Sequence, residues 1–372
     1  MEDNQGVTTT EHDSLTSALQ AHMAKVLAQA GGWVGFDRFM ALALYTPGLG
    51  YYANGLTKFG LLAASGSDFV TAPELSPAFG RLLAVQVREA LDATATDEVW
   101  EFGAGSGALA AQLLGALGER VQRYTIVDLS GSLRARQQER LAAWGDRVRW
   151  VDQLPERMAG VVVGNEVLDA MPVQLLARHG QVWHERGVAA HADGWAWSDR
   201  PTDLRPPMDI DGTHDYLTEI HPQAEAFVHT LGARLERGAA FFIDYGFGER
   251  EYYHPERHMG TLVCHRAHRA DDNPLTDVGL KDITAHVNFT GIGVAAQDSG
   301  WELLGYTTQA HFLINCGLAA VLDTLEPAQR SQAAKLVMEH EMGELFKVIG
   351  LVRGVPAWPA CGFVQGDRTH RL

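Results

Sequence analysis

The feature that most constrains this chain is a series of short apolar segments, each closed by glycine or aspartate and followed by a stretch with helical spacing. Asp97 to Phe102 stops at glycines, and Ala108 to Leu117 follows as a helix. Tyr124 to Asp128 repeats the strand, Ser130 is placed to cap a helix through Ala143, and Val148 to Val151 makes a third strand. Gly160 to Gly164 is a continuous valine run suited to a fully buried parallel strand, and Ala239 to Asp244 is a fifth. Strands alternating with helices in this way predict βαβ units, whose right-handed crossovers put helices on both faces of a parallel sheet. Trp301 to Thr308 and Leu345 to Val352 are expected to finish that sheet as an antiparallel edge pair.

Residues 1 to 95, about 177 to 220 and about 246 to 290 fall outside the alternation. They predict a cap: a helical N-terminal region over 1–95, and two insertions into a core over 96–372. Val182 to Glu185 and Trp195 to Trp197 read as a hairpin or meander. A chain of 372 residues can bury such a core.

Charge and cysteine usage narrow the function classes. A formal charge of −16 opposes nonspecific attraction to nucleic acid or anionic lipid and suits a cationic protein or a small molecule. Cys264, Cys316 and Cys361 match neither a disulfide framework nor a paired-cysteine metal site, so reduced thiols and a cytoplasmic location are expected. The N-terminal segment lacks the pattern of a signal peptide. The longest apolar stretch, Phe312 to Leu322, is too short to span a bilayer, so no membrane insertion is expected.

The sequence Glu101-Phe-Gly-Ala-Gly-Ser-Gly107 joins the first strand to its helix, where an open α/β sheet holds its ligand. Gly103, Gly105 and Gly107 let backbone approach that ligand closely. Asp128, ending the second strand, suits the two hydroxyls of a ribose, and Asp152, beyond the third, suits an adenine amino group. The glycines alone also admit a dinucleotide or an empty turn. Glu101 favours S-adenosylmethionine, because a carboxylate there attracts the cationic amino group and repels a pyrophosphate.

Further motifs occur in a fixed order: Tyr45-Thr-Pro-Gly-Leu-Gly-Tyr-Tyr52, Asp68-Phe-Val-Thr-Ala-Pro-Glu74, the glycine loop, Asn165-Glu-Val-Leu-Asp-Ala-Met-Pro172, Asp244-Tyr-Gly246 and Gly279-Leu-Lys-Asp-Ile-Thr-Ala-His-Val287. In these the chain resembles the MidA-like methyltransferases, over Phe36 to about Gly350. The resemblance implies a class I methyltransferase (Rossmann-like) doubly wound sheet with an added helical region. It also implies protein arginine methylation linked to respiratory complex I assembly, the role of the mitochondrial members. It departs from the family pattern at Asn288, where aspartate is common, and at Ala104 and Ser106, where proline and arginine are frequent.

Methyl transfer needs alignment, exclusion of water and a route for one proton. A guanidinium acceptor needs carboxylates to hold it. Glu166 and Asp169, read as lying at a helix start, are the first candidates; the plainer reading is that Asn165 caps that helix and Asp169 is solvated. Asp282 and His286 lie in the last motif, where the histidine can accept a proton or satisfy a buried carbonyl. Asn165, Thr71, Pro73, Glu74 and Ser76 are expected beside the donor, the last four otherwise forming a capping turn. His254, His258, Cys264, His265 and His268 match no familiar metal spacing, and no metal is expected. The acceptor is expected to be a protein, with a small molecule as the alternative, and a homodimer stays open. An idle donor-binding chaperone, a nucleic-acid methyltransferase and a nicotinamide oxidoreductase are the competing classes. The intact glycine loop opposes the first, and the charge and absent base-modifying motifs oppose the second.

Overall fold

A computed structural model of the chain describes residues 3–54, 70–128, 131–192 and 194–372. Asp68, Phe69 and the expected helix cap Ser130 lie outside these residues. The main sheet contains β1 (Glu98–Phe102), β2 (Arg123–Val127), β3 (Val148–Val151), β4 (Met158–Asn165), β5 (Leu235–Phe247), β6 (Glu302–Thr308) and β7 (Phe346–Arg353). Their order across the sheet is β3-β2-β1-β4-β5-β7-β6, with Val287–Asn288 added beside the end of β5. Strands β1 to β5 pair in parallel, and β7 runs antiparallel to both β5 and β6. The expected edge pair is therefore present, with β7 inserted between β5 and β6.

The valine run explains why β4 lies at the centre. Val161 and Val163 face one layer, with Leu82 and Val87 of helix Ala78–Ala93 and Leu109 and Leu113 of helix Ala108–Leu117. Val162 faces the other, with Val228 and Leu231 of helix Pro222–Arg234 and Ile292 of helix Phe289–Asp298. A strand buried on both faces has no side to leave polar, which is why alternation is lost there. After β3 the chain returns to the far side of β1 to form β4, so the strand order reverses between β1 and β4. Ligands of doubly wound sheets lie at the C-terminal ends of the strands flanking such a reversal.

The added region combines helices with a second sheet. Strands Trp33–Gly35, Val182–His191, Gln174–His179 and Tyr216–Ile220 lie side by side, and Gly194–Pro201 also pairs with Val182–His191. Phe36, Phe39 and Met40 of helix Phe36–Tyr45 pack with Leu19, Met23, Leu175, Val188 and Ile283 to form its core. A three-stranded sheet, Arg269–Asp271 beside Val263–Arg266 beside Asp282–Thr284, lies over the same layer. Helix Ala78–Ala93 belongs instead to the main core. Among the described residues no helix is long and apolar enough to cross a membrane.

Gly160, near the start of β4, has φ +131°, and a Cβ there would stand 2.3 Å from the Glu98 carbonyl oxygen. Gly160→Ala is expected to lower stability by about 1–3 kcal/mol. Chemical denaturation measures this, and an unchanged midpoint would mean that β4 can shift against β1 without cost.

Candidate active site

A cavity of about 910 Å³ runs along the C-terminal edge of the main sheet, from Asp152 after β3 to Tyr245 in β5. It lies near the upper end of the ~300–1,000 Å³ typical of small-molecule sites, leaving space for an acceptor beside a cofactor. Its lining includes Glu74, Glu101, Asp128 and Asp152 towards β3, and Glu166, Asp169 and Asp282 towards β5. Among the described residues, no lysine or arginine lines it. Such a lining attracts cations and disfavours a pyrophosphate, which removes the main support for a nicotinamide cofactor.

At the β1 end, Gly103, Gly105 and Gly107 all adopt positive φ, as the strand-to-helix turn requires. A Cβ on Gly103 would stand 2.9 Å from Val167 Cγ2, so the loop sits tightly against the turn after β4. Gly107 lies just outside the cavity and serves as the left-handed N-cap of helix Ala108–Leu117. Glu101 is 2 % exposed and accepts a hydrogen bond from the Tyr124 hydroxyl at 2.7 Å. Burial pushes its pKa up to about 8 against the opposing effect of that hydrogen bond, and the nearby Asp128 charge adds to the rise. A buried carboxylate in this condition is stabilised by an arriving ammonium group.

Asp128 is oriented by a residue that sequence reading passed over. Gln137 Nε2, on helix Gly131–Leu141, donates to Asp128 Oδ2 at 2.7 Å and to the Gly105 carbonyl at 3.0 Å. Trp150 Nε1 in turn donates to Gln137 Oε1 at 2.8 Å. One amide thus ties the glycine loop to the Asp128 carboxylate. Thr71, Pro73 and Glu74 line the cavity as expected, but Ser76 does not. Ser76 is fully buried, and its hydroxyl accepts from the Ala78 N–H at 3.3 Å in the junction between helices Ala72–Leu75 and Ala78–Ala93. The Ser106 hydroxyl donates to Glu74, and Arg140 Nη1 reaches both, at 2.6 Å from Ser106 Oγ and 3.1 Å from Glu74 Oε1. A guanidinium therefore stands beside the loop although position 106 is serine.

The β4 end corrects one expectation. No helix follows Asn165; Glu166 to Asp169 form a turn, and Glu166 has φ +54°. Asn165 consequently caps nothing. Its Nδ2 donates to Glu166 Oε1 at 2.8 Å, and the Ala72 amide also bonds to that carboxylate. Burial and the Asp169 charge push the Glu166 pKa up to about 8 despite these bonds. Burial raises Asp169 to about 6 against the Tyr245 hydroxyl, which donates to its Oδ2. Asp169 Oδ1 and Asn165 Oδ1 are buried with no hydrogen-bond partner among the described residues, leaving two acceptor atoms to be satisfied at this end.

Asp282 lines the cavity and accepts from the Tyr52 hydroxyl at 2.8 and 2.9 Å. Tyr45 stacks on Tyr52 with ring centroids 5.6 Å apart and donates to the Ala170 carbonyl at 2.8 Å. His286 is not in the lining. It stands behind Tyr245, its ring 5.1 Å away and stacked on Phe247, with burial holding its pKa near 4. The histidine that faces the cavity is His265, opposite Asp282 in the small sheet. Asn288 caps helix Phe289–Asp298 by accepting from the Thr290 and Gly291 N–H groups, so its departure from aspartate keeps that cap. Among the described residues, no three His, Cys, Asp or Glu side chains converge as a metal site would require.

Residues 82–307 match the sequence model of a family described as S-adenosyl-L-methionine-dependent methyltransferases. Among curated proteins, the mitochondrial protein arginine methyltransferase NDUFAF7 of Danio rerio is 27 % identical over 385 residues, covering 91 % of this chain and 88 % of its own length. The Caenorhabditis elegans homolog is 25 % identical over 362 residues, covering 86 % and 83 %. A Burkholderia thailandensis protein, solved with S-adenosyl-homocysteine bound, is 50 % identical, with TM-score 0.92 over 97 % of this chain and 98 % of that one.

Glu101 generates a pH prediction. Its pKa near 8 in the free protein must fall when a cation binds, so binding near pH 7 should release about one proton. S-adenosylmethionine affinity is expected to rise about tenfold per unit from pH 6 towards 8 and then level off. Calorimetry in buffers of different ionisation enthalpy reads both effects; a flat affinity without proton release would place the cation elsewhere.

Proposed function

We propose that this chain, which belongs to the S-adenosyl-L-methionine-dependent methyltransferase family, methylates arginine side chains of a protein. The observation that carries this reading is the acceptor end of the cavity, where Glu166, Asp169 and Asp282 stand with Tyr45, Tyr52 and Tyr245 and no lysine or arginine lines the wall among the described residues. A guanidinium is planar, permanently charged and rich in N–H donors, so it suits neighbouring carboxylates with acceptor atoms to spare. The names of the relatives, protein arginine methyltransferases, support the same acceptor.

The bound donor supplies an electrophilic methyl group on a sulfonium. Glu101, Asp128 and Asp152 hold that donor along the strand ends, with Gln137 fixing Asp128 and the glycine loop. Glu166 and Asp169 hold the guanidinium and turn one of its nitrogens towards the loop. As the N–CH₃ bond forms and the S–CH₃ bond breaks, that nitrogen loses one proton. Glu166 is suited to accept it, because its environment favours the protonated carboxyl up to about pH 8. The tyrosines wall off water and hold Asp169 and Asp282 in place.

The resemblance to the MidA-like family extends the proposal to a respiratory complex subunit as target, and the three free cysteines suit a cytoplasmic reaction. An idle chaperone would keep the donor end and lose the need for Glu166.

Glu166→Gln keeps the shape and removes the charge. It is expected to lower methyl transfer by about a hundredfold or more while S-adenosylmethionine affinity stays within about threefold. The assay is transfer of labelled methyl to arginine in co-purifying proteins, located by mass spectrometry. Undiminished transfer in the variant removes Glu166 from the reaction; label on another residue type rejects the arginine acceptor; no label with the parent chain favours the chaperone.

A further inference from the structure

We propose that Asp244 is the positioning residue of the acceptor end, its carboxylate setting the turn that presents Glu166 and Asp169. This rests on the reading that those two groups hold the acceptor. Asp244 lies in β5, is 1 % exposed and does not line the cavity. Its Oδ2 accepts from three successive backbone N–H groups, those of Val167 at 3.1 Å, Leu168 at 2.9 Å and Asp169 at 3.2 Å. Its Oδ1 accepts from the Tyr245 N–H at 3.0 Å.

Successive N–H groups aimed at one point form an anion-binding nest, and here the anion is a side chain of the neighbouring strand. The nest needs the chain to reverse sharply at residue 166. Glu166 supplies that with φ +54°, a conformation that a non-glycine residue holds only when its surroundings impose it. The imposition comes from both sides of the residue. Glu166 N–H donates to the Ile243 carbonyl at 2.9 Å, Ile243 pairs with Asn165 in the sheet, and Asp244 gathers the next three amides. The height of the turn above the sheet is thus fixed by β5.

Charge separates this role from simple packing. Burial, with the like charges of the facing Asp169 and Glu166, pushes the Asp244 carboxyl well above its usual range against the backbone N–H groups it accepts from, and Tyr245 lies next to it with its hydroxyl on Asp169. Lys347 lies opposite it in β7 but directs its ammonium to the Glu344 and Leu345 carbonyls. Asp282 lies beyond Glu166. The three carboxyls repel one another and titrate as one set, so replacing Asp244 by a neutral amide should let the remaining two ionise at lower pH, as well as loosen the turn.

The test compares Asp244→Asn with the parent chain, both loaded with S-adenosyl-homocysteine and titrated with N-acetylarginine amide across pH. The expected result is about tenfold weaker binding of the amide at neutral pH, unchanged S-adenosyl-homocysteine affinity, and a binding midpoint displaced to lower pH. Parent-like amide binding and an unmoved midpoint overturn the proposal, as does a uniform loss of amide affinity at every pH with the midpoint unmoved. If the variant loses S-adenosyl-homocysteine binding, or the parent chain itself ignores the amide, amide hydrogen exchange of the parent decides: slow exchange at 167–169 supports the pin, and fast exchange overturns it. A parent chain that ignores the amide yet protects 167–169 rejects the arginine reading and leaves the pin standing.

Discussion

The parallel pairing of β1 with β2 on one side and β4 on the other is the constraint on which the rest of the structure depends. Because the chain reverses its order there, no crossover helix fills the space above the two strand ends, and the loops that leave them diverge around a crevice. The glycine loop forms one wall and the Glu166 turn the other, with Val167 packed under Gly103. Displacing either strand would move both walls. The valines of β4, buried on both faces, hold the pair at fixed height, so the hydrophobic core acts directly on the geometry of the site.

Electrostatics then dictate what the crevice can hold. Seven carboxylates line it without a lysine or arginine among the described residues, and burial raises the pKa of Glu101, Glu166 and Asp169. In the free protein such groups are costly, whether they ionise against their surroundings or retain protons near neutrality. A donor with a cationic amino group and sulfonium relieves that cost at one end of the cavity, and the proposed guanidinium acceptor would relieve it at the other. Stability forgone in the empty site becomes affinity for cations, the usual exchange at functional sites.

What was legible in the sequence follows the range of the interactions involved. The five parallel strands, the edge pair and the gathering of Glu101, Asp128 and Asp152 at the strand ends were readable because each depends on a strand and the loop directly after it. Gln137 was not, since a glutamine inside a polar helix carries no signal until Asp128 and Gly105 are seen beside it. The helix expected after Asn165 fails for a related reason. Its first amides find a partner in Asp244, on a strand far along the chain, and a nest replaces the first helical turn. His286 and His265 illustrate register. The pairing of Val263–Arg266 with Asp282–Thr284 sets His265 against Asp282 at the cavity, while His286, just past the strand, turns behind Tyr245.

This difference in range divides the site in two. The donor end is assembled by successive strand, loop and helix units of the main sheet, so it forms as that sheet forms. The acceptor end needs the added region: Tyr45 bonds to Ala170, Tyr52 to Asp282, and the Ala285 N–H to the Asp169 carbonyl at 3.0 Å. Tyr52, Ile283 and Ala285 belong to the core around helix Phe36–Tyr45, and local opening of that core would release these contacts while leaving the glycine loop intact. Donor binding and acceptor recognition therefore rest on separate parts of the folding energy, and the Glu166 turn, pinned by β5 on one side and bonded to the 70–75 segment on the other, is where they are joined.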